Sequence, residues 1–441
     1  MKSFADIPVG WTVTSLGRLV ERISGGGTPS KSDPENFSGN IPFMTVKDMK
    51  GRFVSDTIDH ISEKALNSSA TTLVPADTLV VATRMSLGKI VRPLMDVAIN
   101  QDLKALFLKD GIDKTYIEHF WRYSAPAIQK MGTGTTVKGI RLEDVRSLPV
   151  PVPPSGEQRR IADKLDRVLA RVDAANEHLS RVGPLLKRFR QEVLREAVSG
   201  RILGGNGYKG RRVALSEVCD MRLGKMLDQA KNKGNFVPYI GNINVRWFGF
   251  DLSSLKRIRI ESHEVGDLEI SDGDLMVCEG GEPGRCAVWN GGATDIVFQK
   301  ALHRVRPHEG VLDSWWLAYN LKIQCDSGEI SGLLTGSTIK HLTGRSLGRF
   351  SFYLPDYEEQ RRIVAIVKSL FAFADILEGR TLTTKQNVQR LFPSVLSKAF
   401  RGDLIPQILG DEPASEFLAR VAETKASENH EPIRRKRQAS A

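Results

Sequence analysis

Cysteine is scarce in this sequence: Cys219, Cys278, Cys286 and Cys325 are the only four in 441 residues, and all lie in the second half. None forms a Cys-x-x-Cys pair, and no histidine stands at zinc-finger spacing from them. That argues against a structural zinc and for reduced, mostly buried thiols. Long apolar runs are missing as well. Nothing approaches the roughly 18–20 continuous apolar residues of a membrane span, and Met1 to Pro8 hold no apolar run that reads as a secretory leader. A soluble, cytoplasmic chain with no membrane partner is expected. Acidic residues are the minority charge, 52 Asp and Glu against 63 Lys and Arg, for a net charge of +11. Such a surplus also serves solubility. It nevertheless favours a polyanion, nucleic acid ahead of a membrane surface, because no basic amphipathic helix stands out. The 41% apolar content rules out a wholly disordered chain, and the length allows about two to four domains.

Catalytic signatures are equally thin. Gly25-Gly26-Gly27-Thr28-Pro29-Ser30-Lys31-Ser32 looks superficially like a phosphate-binding loop. Ser30, however, stands where the last glycine belongs, and Asp33-Pro34 follow where a helix should start. A flexible loop is the better reading. No Asn-Pro-Pro-Tyr-like tetrapeptide marks an amino-methyltransferase. Glu423-Thr424-Lys425 lies in a polar tail rather than at a strand end, which speaks against a metal-dependent nuclease. The eight histidines are scattered, none in a readable triad. No catalytic residue, metal site or cofactor site is assigned to this chain, and binding is what remains.

What is present is a repeat. Glu157-Gln158-Arg159-Arg160-Ile161 recurs 202 residues later as Glu359-Gln360-Arg361-Arg362-Ile363. The same offset maps Gly134-Thr135-Thr136-Val137-Lys138 onto Gly336-Ser337-Thr338-Ile339-Lys340, and Ala197-Val198-Ser199-Gly200 onto Ala399-Phe400-Arg401-Gly402. Earlier parts match more loosely. Leu79-Val80-Val81-Ala82 pairs with Leu275-Met276-Val277-Cys278, and Pro42-Phe43-Met44 with Pro238-Tyr239-Ile240, at an offset of 196; Gln101 pairs with Gln299 at 198. A drifting offset means small insertions, which belong in loops. Each half reads as a variable globular domain followed by a better-matched segment: 1–152 and 153–205, then 206–354 and 355–410.

The segments after Pro153-Pro154 and Pro355 read as long helices. Ile161, Leu165, Val168, Val172, Ala175, Leu179, Val182, Leu186, Phe189 and Val193 form an a/d heptad seam. The second copy runs Ile363, Val367, Leu370, Ala374, Leu377, Thr381, Thr384, Val388, Leu391 and Val395, with two polar positions at its centre. Pro184 and Pro393 are expected to kink or interrupt these helices. A helix of about 40 residues spans about 60 Å, and one apolar seam cannot be buried alone. The two helices are therefore expected to pair, most simply antiparallel, which gives the repeat an internal pseudo-two-fold axis. Packing of each helix on its own domain is the alternative. Gly204-Gly205-Asn206-Gly207 fits a boundary between the halves. The globular parts are glycine-rich with short β-branched runs, so a mixed α/β (α+β) fold is expected. Residues 411–441, with Arg434-Arg435-Lys436-Arg437, read as a disordered basic tail.

With the duplicated Gly-Thr/Ser-Thr-x-Lys, the proline-rich strand end and the Glu-Gln-Arg-Arg-Ile helix start in one register, the chain closely resembles the specificity subunit of type I restriction–modification systems over about residues 1–410. The opening Ile7-Pro8-Val9-Gly10-Trp11 agrees with it. The resemblance implies two target-recognition domains, each reading one half of a bipartite double-stranded DNA target, with antiparallel coiled-coil helices setting the unread spacer. It implies a non-catalytic protein that docks two modification (methyltransferase) subunits, which carry S-adenosylmethionine and methylate adenine. Restriction subunits then join, using ATP and magnesium for translocation and cleavage. Different loops on two similar domains imply an asymmetric target. Two rivals stay open: a specificity subunit whose partner both methylates and cuts, and a coiled-coil scaffold with no DNA role.

Candidate DNA-contacting residues follow. Gly134, Thr135, Thr136 and Lys138, with Gly336, Ser337, Thr338 and Lys340, match the family's recurrent motif. Small hydroxyls with a lysine suit phosphate contact, and a tight turn bracing domain to helix is the competing reading. Arg84, Ser86 and Lys89, and likewise Glu279, Gly281 and Arg285, follow matched strands, where loops are placed to meet bases. Lys47, Asn242 and Asn244 are further candidates, since asparagine reads adenine, and Arg246 joins them beside Trp247. Arg159, Arg160, Arg361 and Arg362 near the helix starts are candidates for docking the modification subunits, with solvated charge as the alternative.

Overall fold

A computed structural model describes residues 7–428 apart from 135–136, 205–206, 208–210, 229 and 293–294. The chain divides into two compact units, one of residues 1–178 and 384–441, the other of 179–383.

In the first unit, the buried run Leu79–Ala82 lies inside a five-stranded sheet in the order Val20–Gly25, Leu103–Leu108, Leu79–Ala82, Ile90–Pro93, Phe53–Val54. A second, four-stranded sheet runs Asp59–Ile61, Ile41–Met44, Val97–Ile99, Thr72–Val74, with its central pair parallel. The helix Lys114–Met131 starts where the Asp113 carboxylate accepts the Tyr116 N–H at 2.7 Å, an N-cap for otherwise unpaired donors. Thr12–Ser15 pairs antiparallel with Pro149–Val152, closing the domain just before the first long helix, Ser155–Val198, begins.

The second unit repeats this plan. Its sheets run Cys219–Leu223, Leu302–Pro307, Leu275–Cys278, Cys286–Val288 and Lys256–Ile260, Asn235–Ile240, Val297–Phe298, again with one parallel pair. Asp313 caps the helix Ser314–Ser327. Arg211–Ala214 pairs with Ser351–Leu354, just ahead of the second long helix, Tyr357–Ala399. The loose match between Gln101 and Gln299 shifts by one residue. Asn100 and Gln299 make the equivalent bond, donating to the carbonyls of Met44 and Ile240 at 3.2 and 3.1 Å.

Each unit holds the start of one long helix and the end of the other. Ile161, Leu165 and Leu169 share a core with Leu396, Ala399 and Phe400. Val193, Leu194 and Ala197 share one with Ile363, Val364 and Val367. Antiparallel pairing thus removes from water the seam that neither helix buries alone. Neither Pro184 nor Pro393 interrupts its helix. Both prolines lie on exposed positions, and burial along the rest of the seam outweighs one lost hydrogen bond. The second seam drifts: Leu391 is 48% exposed while Phe392 and Leu396 enter the core. A straight helix turns every 3.6 residues and leaves a strict 3.5 repeat behind.

The expectation of disorder from Asp411 is corrected. Ala414–Glu428 is a helix whose Ala414 N–H donates to the Gly10 carbonyl at 2.9 Å. Phe417 is buried in the first unit's core with Leu418 and Val421 packed beside it, and one such aromatic contributes about 1.5–3 kcal/mol. The basic run 434–437 lies outside the described residues. Cys219, Cys278 and Cys286 are buried free thiols and Cys325 is half-buried. Among the described residues, no helix is long and apolar enough to cross a membrane.

Candidate nucleic-acid interface

In each domain, loops far apart in sequence meet at one edge. The chain leaving Leu79–Ala82 is gripped on both sides: the Thr83 N–H donates to Asp102, and Thr83 accepts from Ile140, both at 2.9 Å. Thr133 and Gly139 exchange two backbone bonds of 2.9 Å, closing the loop that holds Gly134 and Lys138, and the Met85 N–H donates to the Lys138 carbonyl at 3.0 Å. The second domain repeats the arrangement. Glu279 donates to Ala301 and accepts from Leu342, and Thr335 and His341 close the equivalent loop. The two predicted sets, the strand-end loop and the Gly-Thr/Ser-Thr-x-Lys loop, therefore stand side by side twice.

Both loops need their glycine. Gly134 and Gly336 have φ of 118° and 90°, and a Cβ there would collide with the carbonyl oxygens of Val137 and Ile339. The described residues that follow each glycine face solvent. Lys138 is exposed, as are Ser337, Thr338 and Lys340, and Ile339 is 65% exposed. Thr135 and Thr136 lie outside the described residues. Arg84 is half-exposed, 3.5 Å from Asp102, and Lys104 sits close by. Burial lowers the Lys104 ammonium's pKa, Asp102 opposes this, and Arg84 adds to it. Ser86 is half-buried in the turn, its N–H donating to Arg84 at 2.6 Å. Glu279, the counterpart of Thr83, is half-buried.

A third loop completes each edge, and here several expectations change. Lys47 is exposed, on a turn pinned by buried Asp48, which accepts from Thr45 and Ile58 at 2.8 and 2.9 Å. Asn244 occupies the Asp48 position of the second domain. It is 7% exposed and saturated, accepting from Gly241 and donating to Asp251 and Ser254. Asn244 is thus a loop anchor, buried and fully paired, and is corrected as a base reader. Lys89 and Arg285 are engaged within their own domains, donating to the carbonyls of Met49 at 3.1 Å and Asn242 at 2.7 Å. Arg246 is half-exposed and pairs with Asp251 at 3.4 Å, and the Asn242 amide bonds weakly to Gly280 at 3.4 Å. The glycine-rich segment after Ile23 is packed rather than loose: Thr28 donates to Gln101 at 2.5 Å, and the Gly26 backbone abuts Ile99.

At the helix starts, glutamine rather than arginine makes the join. Gln158 accepts from the Asp113 N–H at 3.2 Å and donates to Pro153 at 3.1 Å. Gln360 accepts from Asp313 at 2.8 Å and donates to Val311 and Pro355, both at 2.9 Å. The repeated motif was the available signal for this role. Arg159, Arg361 and Arg362 are exposed. Arg160 is corrected as a free docking charge, because it pairs with Asp411 at 2.5 Å.

Behind the edge, each domain is locked to its long helix by different chemistry. In the first, fully buried Glu118 takes Arg52 at 2.8 Å, Arg92 at 2.5 Å and Arg122 at 2.9 Å. Arg52 and His119 also reach Asp166 on the long helix, at 2.7 and 2.6 Å. Burial pushes the Asp166 carboxyl upward, but the hydrogen bonds from His119 and Arg52 hold it down at about 2. In the second domain, Phe248 stands against Trp315, Tyr319 and Phe371 at centroid distances of 6.2, 5.6 and 6.1 Å, and Lys368 lies over Trp315. Trp247 belongs partly to this core, its indole donating to Glu282 at 2.7 Å.

Residues 8–182 and 211–384 each match the family described as type I restriction modification DNA specificity domain. The chain is 24% identical to the type I restriction enzyme EcoKI specificity subunit of Escherichia coli K12, over 99% of this chain and all of that protein. It is 25% identical to the StySPI specificity subunit of Salmonella potsdam, over 92% of each. Among solved structures, it superposes on the HsdS subunit of Thermoanaerobacter tengcongensis with a TM-score of 0.64 at 21% identity, over 90% of this chain and 98% of that one.

Proposed function

The chain belongs to the type I restriction–modification DNA specificity domain family, and on that premise we propose that each globular domain reads one half of a bipartite double-stranded DNA target through the edge described above. Lys47, Arg84 and Lys138 in the first domain, and Arg246 and Lys340 in the second, supply phosphate contacts. Asn242 and Glu279 offer an amide and a carboxylate to base edges. The two edges share a backbone plan and differ in side chains, so the target is asymmetric. The paired long helices set the unread spacer and dock two modification (methyltransferase) subunits, with restriction subunits joining them. Chemistry dependent on S-adenosylmethionine, ATP and magnesium belongs to those subunits, and this chain works beside them in the cytoplasm as a non-catalytic specificity subunit.

The observation that carries this reading is the duplicated edge, built twice from the same loops in the same backbone bonds. Its test is the salt dependence of duplex binding by the complex with the modification subunits. Lys138→Ala and Lys340→Ala should each weaken binding and reduce the slope of log affinity on log salt by about one. Binding without salt dependence, or an unchanged slope in both variants, would count against it.

A further inference from the structure

Among the described residues, three with side chains adopt positive φ: Asp77, Met85 and Phe248. Met85, at φ 62°, lies on the edge itself, between exposed Arg84 and the Lys138 carbonyl that accepts its N–H. The equivalent position 196 residues later is Gly281, also left-handed at φ 78°. Glycine takes this conformation freely, whereas a Cβ is crowded in it. Methionine gains nothing from the core in exchange, because its side chain is 63% exposed.

The neighbouring loop shows the reciprocal choice. Val46 turns partly inward against the first domain's core, while its counterpart in the second domain is Asn242. A Cβ on Gly281 would fall 3.0 Å from the Asn242 amide nitrogen. At this point of the edge, the first domain therefore presents a flexible thioether from the strand-end loop. The second presents an amide from the adjacent loop, with glycine making room for it. An exposed apolar side chain on a disfavoured backbone, flanked by cations, gains its contact when a partner covers it.

We infer that Met85 is a specificity-determining residue of the first domain that covers the C5-methyl group of a thymine in the major groove, with Asn242 serving the matching place in the second. The inference rests on the reading that this edge meets DNA. It is tested in the complex with the modification subunits by mapping the methylated motif for the wild type and Met85→Gly. Duplex binding is then measured with each thymine of the first half-site replaced in turn by deoxyuridine, which lacks only that methyl.

The wild type should lose about fourfold in affinity at one position, the worth of one buried methyl group. Met85→Gly should bind the thymine and deoxyuridine duplexes alike, and its motif should relax at that position only. Because glycine relieves the backbone, the variant's melting temperature should equal or exceed that of the wild type, which separates lost reading from misfolding. An unchanged motif with the same deoxyuridine response in both proteins overturns the inference, as does a first half-site with no thymine on either strand. A wild type that directs no methylation overturns the DNA reading itself.

Discussion

Replacing Glu118 by alanine tests how the first domain is held to its long helix. The carboxylate is fully buried and takes five short contacts from three arginines: Arg52 at 2.8 and 3.1 Å, Arg92 at 2.7 and 2.5 Å, and Arg122 at 2.9 Å. Its removal leaves three guanidinium groups in a partly buried site without their shared carboxylate; Arg52 keeps Asp166 and Arg92 keeps Asp77. Breaking a buried ion pair in this way costs about 3–5 kcal/mol. Asp166 compensates in part through Arg52, so the lower half of that range is expected. In hydrogen exchange, amides of Lys114–Met131 that open with the unit should exchange several hundredfold faster, while peptides of the second unit keep their wild-type protection. A loss below about 1 kcal/mol would show that solvent already screens the cluster, and would refute the claim that Glu118 organises this join.

Further outcomes follow from the same contacts. The Asp166 carboxyl is held at about 2, below its unfolded value of about 3.9, so its contribution is complete above about pH 5 and disappears as the pH falls through about 2. Discounted for its 39% side-chain exposure, that contribution is about 1 kcal/mol, and Asp166→Asn should flatten this limb of an acid titration of stability. Gln360→Ala removes three hydrogen bonds, one buried and two part-buried, and orphans the Asp313 N–H, costing the second unit about 2–3 kcal/mol in urea denaturation. Gly336→Ala should leave the fold in place but distort the exposed loop, lowering duplex affinity about tenfold at fixed salt.

The repeat and the long helices were legible in the sequence, because a shared register and an apolar period survive without knowledge of contacts. The edge was half legible: the loops were identifiable, but their meeting depends on backbone bonds across 50 or more residues, such as Thr83 with Ile140. Residue type misled at Asn244, whose amide reads bases when exposed and ties loops when buried. It misled again at Arg160, whose partner Asp411 lies 251 residues away. The helix Ala414–Glu428 was hidden by its polar composition. Its residues favour a helix, but one of 15 residues is marginal alone, and packing of Phe417 in the core holds it. Glu118 and His119 look like ordinary helix polarity until Arg52, Arg92 and Asp166 are brought to them by the fold.

Co-expression of this chain with a modification subunit in a host free of DNA methylation, followed by genome-wide mapping of methylated adenine, tests whether two unlike edges read two unlike half-sites at a fixed separation. The expected result is one split motif, with two different half-sites and an unread spacer of constant length, appearing only when both proteins are present. A palindromic motif, or no methylation from a stable complex with a competent partner, would contradict it.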